Sequence, residues 1–108
     1  MSQLFACPST GRPVELTDER EAHIVARHPE LAGILRQCIA ATLADPDSIR
    51  QGGRSKVSRT FARWFDAILD GKHVVVVVVT DSDPIRDWVV TAYVARKLGG
   101  GAMIWKRD

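Results

Sequence analysis

A chain of 108 residues, 45% of them hydrophobic and 26% charged, has room for one packed core and is not disordered. Its formal charge of +2 does not mark a nucleic-acid binder in bulk, and its longest apolar run, the six residues Val74–Val79, falls far short of the roughly 20 that a membrane helix needs. The first residues carry neither the basic nor the apolar block of a secretory signal, and Cys7 and Cys38 form no CxxC pair, so one soluble domain over 1–108 in a reducing cytoplasm is expected.

Gln3–Cys7 is weakly strand-like, Pro8–Gly11 is turn chemistry, and Val14–Leu16 is expected to pair back as a small hairpin. Thr17 or Asp18 can cap a first helix. Asp18-x-x-Glu21 resembles a capping box, and acids in a first turn suit the positive end of the helix dipole. Pro29 pushes the residue before it out of the α region, which ends this helix near His28. Pro29 then suits the first turn of a second helix, expected to continue to about Ala44. Leu31, Ile34, Leu35, Cys38, Ile39, Thr42 and Leu43 recur there at helical spacing as one buried stripe.

Beyond Asp45-Pro46-Asp47 the period changes. Ser48–Gln51 reads as a short strand before the Gly52-Gly53 break. Val57–Phe65 alternates, with Arg59, Phe61, Arg63 and Phe65 on one face and Thr60, Ala62 and Trp64 on the other. An Asp70-Gly71 turn leads into His73–Thr80, whose unbroken valines indicate a strand buried on both faces. Asp81–Pro84 reads as a loop. Asp87–Ala95 alternates again, with Trp88, Val90, Ala92 and Val94 set against Val89, Thr91, Tyr93 and Ala95. Gly99–Gly101 is expected as a hairpin turn, and Ala102–Lys106 as an edge strand that closes the sheet. The order predicts an α+β domain: two N-terminal helices packed on a four-stranded antiparallel sheet.

The charge is unevenly placed. Residues 1–47 carry a net −3 and residues 48–73 a net +4, with no acid among Arg50, Arg54, Lys56, Arg59 and Arg63. Such a stretch is a candidate anion surface, or a charged face that keeps the protein soluble. On the first helix, Arg20, His23 and Arg27 fall on one polar stripe, while His28 lies on the apolar side at the helix end, where an imidazole can serve the last carbonyls. Histidine moves protons near neutral pH and arginine grips phosphate with a planar fork. RNA cleavage without a metal needs a base for the 2′-OH, a cation for the phosphorane and an acid for the leaving oxygen. Thr91 and Tyr93 point the same way from a late strand, as a second polar set or as plain strand formers. Arg59 and Arg63 interleave with Phe61 and Phe65, a pattern that can hold phosphates and stack bases, unless the phenylalanines are core and Trp64 is outside. No HExxH motif, acidic cluster, Walker loop or GxGxxG motif is present, and neither metal nor cofactor is expected.

The segment LFACPSTGRPVELTDEREAHIVARHPEL, with His23 and the Arg27-His28-Pro29-Glu30 run, and the late strand with Thr91-Ala92-Tyr93 form a recognisable pattern. The chain resembles the phage and mobile-element branch of the Barnase–EndoU–colicin–RelE superfamily of small ribonuclease-like domains. That resemblance implies a metal-independent active site between the first helix and the sheet, acting on RNA such as tRNA or mRNA. It also implies a toxin or phage-effector role, with a cognate antitoxin or immunity protein as partner. The expected catalytic residues are His23, Arg27, Thr91 and Tyr93. The expected substrate-binding residues are His28, Arg59, Arg63 and Lys97. The other reading is a non-catalytic nucleic-acid- or protein-binding module of the same fold.

Overall fold

The computed structural model describes residues 2–51, 57–99 and 102–107. Gly52, Gly53, Arg54, Lys56, Gly100 and Gly101, on which several of the expectations fall, lie outside them. Seven strands and two helices are present among the described residues: β1 (Gln3–Phe5), β2 (Val14–Leu16), α1 (Asp18–Arg27), α2 (Leu35–Ala44), β3 (Ser48–Gln51), β4 (Ser58–Phe65), β5 (Lys72–Ser82), β6 (Ile85–Ala95) and β7 (Met103–Lys106). The strands form one sheet in the order β1-β2-β6-β5-β4-β3-β7, antiparallel throughout except for the parallel β2–β6 pair.

The expectation of a four-stranded antiparallel sheet under two helices is therefore corrected. The meander β3–β6 exists, but it is the middle of a mixed seven-stranded sheet, although the class remains α+β. The N-terminal hairpin is not separate. Val14 and Leu16 are fully buried and need a core larger than a three-residue hairpin can supply. They obtain it by lying beside β6, where Val14 pairs with Asp87 and Glu15 with Trp88. Arg12 then grips the buried Asp87 through Nε at 2.8 Å and Nη2 at 3.2 Å. At the other edge β7 pairs antiparallel with β3, as the closing strand expected there.

The helices differ in detail from the sequence pattern. Thr17 caps α1, its Oγ1 accepting from Arg20 N at 3.1 Å, and the Glu21 carboxylate binds Arg36 rather than closing a box. The expected second helix is broken into a 3-10 turn at Pro29–Leu31 and α2 proper, because Gly33 adopts a φ of +81° that a helix cannot contain. The apolar stripe survives the break, with Leu31, Leu35, Cys38, Ile39, Thr42 and Leu43 all buried. The buried Thr42 hydroxyl donates to Cys38 O at 2.7 Å, and burial pushes the Cys38 thiol pKa up.

One face of the sheet carries the core: Ile49, Phe61, Val74, Val76, Val78, Val89 and Ala92 pack with α1 and α2. Phe61 is thus core and Trp64 lies on the opposite face. Asp81 and Ser82 extend β5 instead of forming a loop, and the turn to β6 is the cis Asp83–Pro84 step. Strand β6 breaks its own alternation. Val77 pairs with Thr91 but Val78 with Val89, so Val90 is the extra residue of a bulge. Val89, Ala92 and Val94 therefore share the helix-covered face, and Trp88, Thr91, Tyr93 and Ala95 share the open one. Strict alternation would group Trp88 with Val90, Ala92 and Val94. The bulge re-phases the strand.

Candidate nucleic-acid interface on the open face of the sheet

Strand β2 covers the edge of β6 only as far as Trp88, and α1 lies along the remainder of that strand. Ile24 is buried there, and Arg20 Nη1 donates to the carbonyl of the bulge residue Val90 at 3.4 Å. Helix α1 ends as the proline requires. His28 N–H donates to Ile24 O at 2.7 Å, so the backbone does the capping and the imidazole is left for other contacts. Its ring centroid lies 6.1 Å from that of Tyr93, and its Nδ1 is 3.6 Å from Glu30 Oε1. The half-buried His28 thus meets the open face of the sheet at its β6 side.

The other expected residues divide between places. His23 and Arg27 are exposed on α1, without a hydrogen bond or ion pair among the described residues. Thr91 is half-buried on the same face as Tyr93, opposite Val77, and Lys97 is exposed just past β6. Arg59 and Arg63 pair with Val78 and Val74, which puts them on the helix-covered face, across the sheet from Thr91 and Tyr93. Arg63 Nη1 donates to Asp45 O at 3.0 Å and to its Oδ2 at 3.2 Å, closing the end of α2. Arg59 lines a separate groove of about 610 Å³ with Ile49, Asp45 and Trp105. The structure brings His28, Thr91 and Tyr93 to one face and leaves Arg59 and Arg63 on the other.

Next to Tyr93 the open face contains a cavity of about 330 Å³. Its floor is Ala62, Val75 and Val77, and its far wall is Ser48 and Arg50. Ala62 and Val75 are each only 2% exposed although no helix among the described residues covers them, so the valine run is buried on both faces only over Val74–Val76. Arg50 Nη1 donates to Gly99 O, which holds the guanidinium over the cavity. Arg50 is the sole formally charged side chain among the described lining residues. Its Nε, the Ser48 hydroxyl and His73 Nδ1 are buried without a hydrogen-bond partner among the described residues.

Ser48 was missed by sequence reasoning, and Arg50 was noticed only as part of a basic run. Ser48-x-Arg50 on a short strand signals two residues sharing one face, but which face is decided only by pairing with Ala62 and Thr60. Among the described residues no group of three or more His, Cys, Asp or Glu side chains could hold a metal ion, and no helix is long and apolar enough to cross a membrane. Comparison with family models, with curated proteins and with solved structures finds no match to this chain.

Proposed function

We propose that the chain is an endoribonuclease working on the open face of the sheet. The observation that carries this reading is the placement of His28 against Tyr93 at the rim of a cavity whose described lining holds one charged side chain, Arg50. In the proposed reaction His28 takes the proton of a ribose 2′-OH, whose oxygen attacks the adjacent phosphorus. The bond to the 5′-oxygen breaks, and that oxygen takes a proton from the Tyr93 hydroxyl or a water held by it, leaving a 2′,3′-cyclic phosphate. Thr91, on the same face, hydrogen-bonds the substrate. Arg27 and Lys97 are exposed, as is His23, and exposed cations such as the first two draw in a polyanion. A tRNA or mRNA would be the target, and a cognate inhibitor protein would cover this face.

The test is incubation of the purified protein with total RNA in EDTA, read for new fragments with cyclic-phosphate ends. The His28→Ala variant is expected to lose about 100-fold or more of the rate, the usual range for a removed acid–base group. His23→Ala measures the competing assignment, because loss there with His28→Ala unaffected moves the base one turn back along α1. Parent-level cleavage by both His28→Ala and Tyr93→Phe refutes the proposed pair. RNA binding that weakens with salt, without any cleavage by the parent, identifies a binding module instead.

A further inference from the structure

Among the described residues three polar atoms on the open face are buried without partners, and two of them belong to residues that line one cavity. Burying a hydroxyl or a guanidinium N–H without a hydrogen bond costs free energy, so a fold selected only for stability would not keep both. Ser48 is 4% exposed, and an alanine there would fill the same space without the cost. Arg50 is fixed by the bond from its Nη1 to Gly99 O, while its Nε–H is buried and has no partner among the described residues. Thr60 and Tyr93 line the same cavity, and no Asp or Glu does so among the described residues. A fixed cation and a neighbouring serine hydroxyl, at a pocket whose described lining holds no negative charge, match a phosphate group, which accepts from both at once. The flat floor of Ala62, Val75 and Val77 suits the apolar edge of a sugar or base, and about 330 Å³ is at the small end of ligand sites.

We infer that this cavity is a phosphoester subsite in which Arg50 Nε–H and the Ser48 hydroxyl donate to one phosphate of a nucleotide chain. Pairing places Ser48, Ala62, Val75 and Tyr93 in one row across four adjacent strands. At about 4.8 Å per strand, Ser48 is some 14 Å from Tyr93, so the bound phosphate is a neighbour of the reacting one and not the reacting one itself. That the ligand is a nucleotide rests on the ribonuclease reading; the affinity for a phosphate group does not.

The test follows the Arg50 Nε–Hε resonance of the full, isotope-labelled chain by NMR. The probes are inorganic phosphate and a 2′-deoxy tetranucleotide, which cannot be cleaved by 2′-OH attack. A saturable shift of that resonance with the tetranucleotide is expected, and a weaker one with inorganic phosphate marks the nucleotide backbone as the better source. Ser48→Ala is expected to weaken binding about tenfold while melting at the same or a higher temperature, since a purely structural hydroxyl would not move binding. Arg50→Lys, which keeps the charge and loses the fork, is expected to bind about tenfold more weakly as well. An unmoved Nε–Hε resonance with both probes, or parent-level affinity in Ser48→Ala and Arg50→Lys, overturns the subsite. Binding that depends on both residues in a chain that cleaves nothing leaves the subsite standing and removes the ribonuclease reading. Cleavage without such binding does the reverse.

Discussion

The two faces of the sheet are made from the same strands and obey different rules. Under the helices, Phe61, Val74, Val76 and Ala92 are fully buried, and the charge that enters, Asp87, is bound by Arg12 and the Thr80 hydroxyl. On the open face the burial is as deep at Ala62 and Val75, yet Ser48 Oγ, Arg50 Nε and His73 Nδ1 find no partner among the described residues. Apolar burial plus satisfied polar atoms is what stability alone produces. The orphaned atoms on the open face are the observation on which the proposed phosphate subsite rests. The contrast separates the two faces more sharply than the charge run between residues 50 and 63, whose described arginines sit on both.

Substitutions can break this contrast. The largest effect is expected on the covered face, where Phe61→Ala should cost about 3–5 kcal/mol in urea unfolding, the range for emptying an aromatic core site. Asp87→Asn should cost about 2–3 kcal/mol, because the buried carboxylate accepts from a guanidinium and a hydroxyl. Burial by itself would raise the Asp87 pKa, but hydrogen bonds from Arg12 and Thr80, with the nearby charges of Arg12 and Arg59, hold it below the usual carboxylate range. A carboxylate depressed in the folded state adds stability that is present above its unfolded pKa and fades as pH falls through the folded one. Parent and Asp87→Asn stabilities should therefore converge in acid and separate toward neutral pH.

A sharper comparison lies within the run of six valines. Val76→Thr should cost about 2 kcal/mol, since it buries a hydroxyl under the helices, whereas Val77→Thr on the open face should stay within about 0.5 kcal/mol. Equal losses in the two variants would erase the distinction between the faces. The smallest loss expected to exceed that bound is local to the open face. Gly71 has a φ of +102°, and a Cβ there would lie 2.5 Å from Trp64 Cζ2, so Gly71→Ala should cost about 1–2 kcal/mol and loosen Trp64, read by its fluorescence.

Features set by neighbours along the chain were legible. Pro29 ends α1 where the sequence indicates, the stripe from Leu31 to Leu43 is buried except for the half-buried Ile34, and the four strands of the meander occur in place. Features set by distant partners were not. Arg12 and Asp87 are 75 residues apart, and nothing near either announces the other. The parallel seat of β2 on β6 depends on where Val14 and Leu16 find apolar surface, which local periodicity does not encode. For the candidate site, His28 and Tyr93 were legible as residue types at promising positions. Their meeting depends on α1 taking over the edge of β6 where β2 stops. Ser48 carried only the signal that it shares a face with Arg50, because a buried serine on a strand looks like any other until its missing partner is seen.

The bulge at Val90 makes chain length at this point an inheritable control over which residues each face displays. A chain lacking Val90 would run from Val89 straight to Thr91 with the other side chains of β6 on their present faces, so that deletion keeps the phase of the strand and gives up the carbonyl that Arg20 reaches. One residue inserted between Ala92 and Tyr93 would instead turn over the strand beyond it, presenting Tyr93 to the helices and Val94 to the cavity. Lineages of such a domain can therefore shorten β6 at its bulge without re-phasing it, but can lengthen it at Ala92 only by abandoning the open face.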